Sequence, residues 1–357
     1  MRTAVLVSAP VAPSLAEEVR AGVRPQPDFL ALAAALDASL IAPLAPSRAP
    51  VGHTARPLRF LRVAWAAFRR RHQYDVLVTD LDRVGLLVAL LFRAVGAEQR
   101  HVLVCHGSIA SAPDLHLARA LDLQRHIHRF VCYGPAVARR LRHALGLPAH
   151  RVVTVRHAAD HRFWHPLPVA PERLLVGAGM LHRDYPTLVR AVGGLDAQVV
   201  LAAHSPWVAS RRGGVAPDAL PPNVRLARCT YRELRDLYAR SLLVAVPLVD
   251  THLQAGSLVI YEAMATGRAV VTTETEGQAE LDVVRPGETG YRLPPGDVAA
   301  WRETLRSLLD HPQEAQRLGQ RAREAVEAGL NQEAYVRAMV DIVRAVAAEG
   351  RRARVAN

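Results

Sequence analysis

The residues most able to do chemistry together lie between Val244 and Asp297, where a small-residue loop carrying Gly256, Ser257 and Leu258 precedes a helix holding Glu262. A buried apolar strand (242–247) leads into that loop. The helix is expected from about Leu258 to Thr266 and stops at Gly267, ahead of a second apolar strand (269–273). Strand, loop, helix, glycine stop and strand make a βαβ unit. In such units ligands collect beyond the strand C-termini, where a helix N-terminus offers free amides and positive dipole to an anion. With no bulky side chain in the loop, a phosphate could approach the backbone. Glu262, one turn into the helix, is placed to accept hydrogen bonds from sugar hydroxyls. Together these groups suit a nucleotide sugar. The plainer alternatives are that Ser257 simply caps the helix and that Glu262 is a solvent-facing helix residue.

Further elements must position this site. The first half alternates apolar strands (2–8, 75–79, 101–105, 129–132, 152–155) with helices (28–36, 58–71, 84–95, 114–124, 135–145). That alternation predicts a parallel sheet with helices on both faces. A proline-bearing stretch, His157 to Glu172, reads as an interdomain linker. A second strand–helix series follows: strands at 173–176, 198–202 and 224–227, helices at 185–192 and 231–239, then helices at 314–328 and 333–348. The length of 357 residues fits two α/β domains of about 150–180 residues each. We expect domains at 1–165 and 166–330, with 331–357 as a terminal helix.

The segment from Gln254 to Gly267 (QAGSLVIYEAMATG) resembles the donor-site region of GT-B glycosyltransferases of the large retaining glycosyltransferase family 4, the glycosyl transferases group 1. That family carries two glutamates separated by seven residues. The second matches at Glu262, while Gln254 stands where the first would be. The likeness continues through Glu280, Gly287, Gly290 and Leu293-Pro294-Pro295-Gly296-Asp297, and more weakly through 152–166, 175–188 and Val104-Cys105-His106-Gly107. It implies the GT-B fold: two doubly wound Rossmann-like domains facing a central cleft, the terminal helix crossing back to the first.

The resemblance also assigns roles. Arg183 aligns with the family lysine on the donor diphosphate, and a guanidinium fork can hold phosphate bidentately. The family's other basic residue of that loop falls at Ala178. Glu262 would bind the ribose, Gln254 would lie beside the donor hexose, and Gly256, Ser257 and Leu258 would present amides to the diphosphate. His106, at a strand C-terminal end, would contact the sugar near the reacting centre; its plain alternative is an ordinary loop histidine. The implied reaction is retaining hexosyl transfer from a UDP- or GDP-linked sugar to a glycan, lipid-linked or small-molecule hydroxyl, with no metal and no cofactor. The alternatives are a catalytically degenerate GT-B protein that binds a nucleotide or glycan partner, suggested by Gln254 and Ala178, and a sugar-nucleotide epimerase.

Composition narrows the partners. Half the residues are hydrophobic and the formal net charge is +12, carried by arginine alone, since the chain has no lysine. That bias suggests a GC-rich genome and weakens inference from charge. No nucleic-acid module is visible, so no nucleic-acid partner is expected. No apolar run approaches the ~20 residues that span a bilayer, and the chain enters its first strand directly, so a cytoplasmic protein without a leader is expected. His126 and His128 form an H-x-H without further ligands at zinc spacing. The three cysteines read as buried thiols. The helix at 58–71 sets Leu58, Leu61, Trp65 and Phe68 on one face with arginines largely off it. Such a helix either covers the sheet or lies peripherally on an anionic membrane.

Overall fold

The structure, a computed structural model, describes residues 1–43, 56–107, 109, 112–203 and 220–355. Two six-stranded sheets account for its strands, and every strand pairing is parallel. The first contains β1 (Thr3–Leu6), β2 (Ser39–Ile41), β3 (Val76–Thr79), β4 (Arg100–Cys105), β5 (Arg129–Cys132) and β6 (Val152–Thr154), in the order β2-β1-β3-β4-β5-β6. The second contains β7 (Leu174–Ala178), β8 (Gln198–Ala202), β9 (Val224–Leu226), β10 (Leu243–Val246), β11 (Ala269–Thr273) and β12 (Gly290–Leu293), in the order β12-β11-β10-β7-β8-β9. Read outward from β7, the second sheet has the doubly wound order of dinucleotide-binding folds, with its switch point between β7 and β10. The architecture is α/β, built on two parallel sheets.

The chain divides into two compact units. One comprises residues 1–20, 26–156 and 334–357; the other comprises 21–25 and 157–333. The helix Gln332–Val355 therefore joins the first unit from Ala334 onward. The stretch 157–172 is no bare spacer, because Phe163 and Trp164 are buried in the core of the second unit.

Parity along the strands builds that core. Leu174 and Val176 of β7, Val244 and Val246 of β10 and Val270 of β11 face one side, against Tyr238, Ile260, Met264 and Trp164. Their neighbours Leu175, Leu243, Ala245, Ala269 and Val271 face the other, against Leu188, Trp301 and Leu305. Successive strand side chains point to opposite faces, so covering both faces demands the near-continuous apolar runs seen in the sequence. Each fully buried aliphatic side chain contributes about 1.5–3 kcal/mol.

Several elements escaped the sequence reading: the helices Leu15–Arg20, Glu276–Ala279 and Val298–Asp310, and the edge strands β2 and β12. Edge strands are half-solvated and short, so β2 (SLI) and β12 (GYRL) carry little apolar signal. The helix Arg56–Arg69 also turns differently from the expected apolar stripe. Val63, Ala64, Ala67 and Phe68 are buried, whereas Leu58, Leu61 and Trp65 are 61%, 48% and 49% exposed. Its neighbour, the helix Asp82–Ala94, brings Phe92 within 6.3 Å of Phe68, and that packing selects the small alanine face.

Tight helix–strand packing in the second unit is open to test. A Cβ on Gly319, in the helix Pro312–Glu327, would lie 2.3 Å from the Gly267 carbonyl oxygen. Gly319→Ala should cost about 1–3 kcal/mol in urea unfolding; an unchanged midpoint would contradict the packing.

Candidate functional site

The switch point of the second sheet is bounded by two glycine turns with an arginine between them. β7 runs into Gly177-Ala178-Gly179, and Gly179 adopts φ +84°. β10 leads through residues 247–255 to Gly256, which adopts φ +79° and forms the N-cap of the helix Ser257–Ala265. Arg183 fills the gap. A Cβ on Gly179 would fall 2.6 Å from its Nη2, and one on Gly256 would fall 3.4 Å from its Nη1 and 2.8 Å from Val246 Cγ1. Only glycine combines the left-handed backbone with room for the guanidinium.

The arginine is fixed as well as enclosed. It is buried, and it donates from Nε to the Ala178 carbonyl (2.8 Å) and from Nη1 to the Leu181 carbonyl (2.9 Å). Tyr185 Oη donates to the Gly179 carbonyl (2.6 Å), bracing the same turn. Asp184 caps the following helix, Tyr185–Val192, by accepting from the Thr187 amide (3.2 Å). Arg183 is therefore no solvated charge at a helix end: it is a preset cation whose hydrogen bonds go to backbone oxygens. Burial lowers its pKa from the usual guanidinium value, while Tyr185, Tyr238 and Glu262 act in the opposite direction.

The turn facing Arg183 is held by side chains. Gln278, buried at the end of the helix Glu276–Ala279, donates to the Ala255 carbonyl (2.6 Å) and to Ser257 Oγ (3.3 Å). Ser257 Oγ in turn donates to the Gln254 carbonyl (2.7 Å). Ser257 is the first helical residue and not the cap, and no side chain caps this helix, so the positive end of its dipole faces the turn. Leu258 is exposed on the first turn. Gln254 is half-buried, and its side-chain Nε2 is enclosed with no hydrogen-bond partner.

Glu262 is buried, not solvent-facing. Tyr238 Oη donates to its Oε2 at 3.3 Å. Burial raises the carboxyl pKa to about 8, although the Tyr238 hydrogen bond and the Arg183 charge both act to lower it. At neutral pH Glu262 is thus largely protonated near a cationic Arg183.

In the first unit His106 follows β4, and Nε2 donates to Asp80 Oδ1 at 3.0 Å. Its ring meets Tyr133 edge-on, with centroids 5.1 Å apart, and the Tyr133 and Tyr335 hydroxyls are 3.4 Å apart. The imidazole is 36% exposed. Partial burial alone would lower its pKa, but the hydrogen bond and charge of Asp80, with Asp82 and Asp28 beyond it, raise it to about 9. Among the described residues, no cluster of three His, Cys, Asp or Glu side chains could hold a metal ion.

Arg183, Gly256, Ser257, Leu258, Gln254 and Glu262 thus meet at one strand edge of the second unit, while His106 stands in the first. Sequence reasoning missed Gly179, Tyr185, Tyr238 and Gln278, which position these groups, and Asp80, which charges His106. Gly179 was visible inside the G-A-G triplet. The others carry no local pattern, since their partners lie in distant segments.

Part of the chain is similar in sequence to known proteins. Residues 175–311 match a family model described as glycosyl transferases group 1. The D-rhamnosyltransferase WbpZ of Pseudomonas aeruginosa is 28% identical over 152 residues, 42% of this chain and 39% of that protein. The D-inositol 3-phosphate glycosyltransferase of Corynebacterium efficiens is 37% identical over 99 residues, 28% of this chain and 22% of that protein. The chain thus spans only a minority of the length of the curated relatives it matches. Among solved structures, the sucrose-phosphate synthase of Thermosynechococcus elongatus superposes with a TM-score of 0.72 at 19% identity, covering 98% of this chain and 100% of that one. HepE of Anabaena, solved with UDP and glucose, superposes with a TM-score of 0.68 at 16% identity, covering 97% and 100%. These likenesses establish the fold.

The raised carboxyl makes a pH prediction. Because the folded value of Glu262 lies above the ordinary 4.5, its contribution to stability is complete below that value and is lost as pH rises through about 8. Wild-type protein should lose melting temperature relative to Glu262→Gln between about pH 5 and pH 8.5. Parallel melting curves across that range would show that Glu262 is ionised at neutral pH.

Proposed function

We propose that this protein is a glycosyltransferase that moves a hexose from a UDP- or GDP-linked sugar to a hydroxyl acceptor, with retention of configuration and without a metal. The observation that carries the reading is the Arg183 guanidinium set between two glycine turns beside an uncapped helix N-terminus. That is a site for a diphosphate at a sheet switch point. The match to the group 1 model over the same segment supports it. So do solved neighbours in complex with UDP and with UDP-glucose.

In this reading the diphosphate lies against Arg183 and the amides of Gly256, Ser257 and Leu258, and Glu262 accepts the ribose hydroxyls. The bond from the anomeric carbon to the diphosphate oxygen breaks, a bond to the acceptor oxygen forms on the same face, and the hydroxyl proton passes to the departing phosphate. Arg183 and the amides stabilise the charge that develops on the leaving group. His106, held as an imidazolium by Asp80, serves as a hydrogen-bond donor to the sugar and not as a base. The enclosed Nε2 of Gln254 would find its partner in a sugar hydroxyl. Gln254 lacks the charge of the family glutamate, which favours a slower enzyme and keeps a nucleotide- or glycan-binding protein as the second reading.

We place the protein in the cytoplasm, in peripheral contact with anionic membrane. No helix among the described residues is long and apolar enough to cross a membrane. The exposed Leu58, Leu61 and Trp65, flanked by Arg59 and Arg62, fit an interfacial helix that would bring a lipid-linked acceptor within reach.

Calorimetric titration with UDP, GDP and ADP, without added metal, should show one of them binding. Arg183→Ala should weaken that binding by about tenfold or more. Ribose hydroxyls favour the ionised carboxylate, so binding near pH 7 should release protons and tighten toward pH 8. No binding at millimolar nucleotide would overturn the donor site. Separately, Leu61→Ser with Trp65→Ser should abolish co-sedimentation with phosphatidylglycerol vesicles; unchanged sedimentation would remove the membrane helix.

A further inference from the structure

A second charged cavity lies in the first unit, away from His106. It measures about 220 Å³ and is lined by Arg125, His128, Arg129, His150, Arg151 and Glu349. Its place follows from the strand directions. Arg129 opens β5 and Arg151 immediately precedes β6, so the cavity sits at the N-terminal edge of the sheet. His106 sits past the C-terminal end of the parallel neighbour β4. Four residues of β5 at ~3.3 Å each separate the two edges by about 13 Å.

The cationic groups are held in place and crowd one another. Arg129 is buried, donating from Nη1 to the His150 carbonyl and from Nη2 to the Glu349 carboxylate. Arg151 donates from Nη2 to the carbonyls of Gln124 and Ile127. Arg125 is exposed and lies 3.6 Å from Asp122. His128 Nδ1 accepts from the His101 amide at 3.4 Å, which leaves the proton of the neutral ring on Nε2, a donor. Burial and the Arg129 charge both disfavour the Arg151 cation. Burial and the Arg151, Arg100 and Arg129 charges disfavour protonation of His128. Three arginines therefore face two carboxylates, Asp122 beside Arg125 and Glu349 on Arg129, both half-exposed, the latter toward the far end of the C-terminal helix. Such a cluster, preset by backbone carbonyls and short of negative charge, is complementary to a small, multiply charged oxyanion. The volume lies below the ~300–1,000 Å³ of sites for drug-sized ligands.

We propose that this cavity binds a phosphate monoester, with Arg125, Arg129 and Arg151 on the phosphoryl oxygens and Glu349 competing for Arg129 when the cavity is empty. The site is separate from the donor site and does not depend on the transferase reading. Nothing in its chemistry distinguishes a soluble phosphate ester from a lipid phosphate headgroup.

The test titrates the full chain with inorganic phosphate by calorimetry. Arg125→Gln, on an exposed side chain, should weaken binding by about threefold and Arg151→Gln by about tenfold. Glu349→Gln should tighten it by about threefold. If Arg151→Gln fails to fold, the Arg125 and Glu349 variants still decide. Glycerol phosphate and vesicles containing phosphatidic acid then identify the source: the tighter of the two names a soluble or a lipid ligand. Phosphate binding that responds to Arg183→Gln but not to Arg125→Gln or Glu349→Gln would overturn the proposal. So would no binding of phosphate or of either ester at tens of millimolar.

Discussion

Everything at the candidate site depends on burying one guanidinium without a carboxylate bound to it. Isolated charges are expensive to bury, and this one is tolerated because backbone oxygens of Ala178 and Leu181 take its hydrogen bonds. Two glycine turns close around it, and a Cβ at either glycine would press on the guanidinium. The sheet order then explains the location. Where β7 and β10 lie side by side, the loops that leave them diverge, and the space between receives whatever both loops present. The site thus combines a preset cation, an uncapped helix N-terminus and a carboxyl within the field of that cation.

The two titrating groups are tuned in the same direction by different means. Glu262 is pushed up by burial, and His106 is pulled up by the Asp80 pair against partial burial. One is therefore mostly neutral and the other mostly charged at neutral pH, opposite to their ordinary states in water. A neutral Glu262 avoids a buried anion. A charged His106 suits hydrogen-bond donation and argues against a role as general base.

How much of this could be read beforehand follows from where each partner lies. The βαβ unit from β10 to β11 was legible because strand, glycine, helix and strand follow one another locally, and helix 185–192 was legible for the same reason. Arg183 as a candidate came from resemblance, but its burial did not, because that depends on Gly256 more than seventy residues away. Tyr238 against Glu262 and Asp80 against His106 are similarly separated in the chain and leave no periodic trace. The face of the helix Arg56–Arg69 was assigned to its large apolar residues, whereas packing against Phe92 chose the alanines. The same packing leaves Leu58, Leu61 and Trp65 exposed.

The central claim is that the Arg183 cradle holds the diphosphate of a nucleotide sugar. Phosphorus NMR of a UDP-hexose or GDP-hexose added to the protein without metal tests it directly. The account predicts that both diphosphate resonances of one donor shift and broaden on binding, and that Arg183→Gln restores the free spectrum. Resonances that shift equally in the wild type and in Arg183→Gln would show the diphosphate bound elsewhere and contradict it.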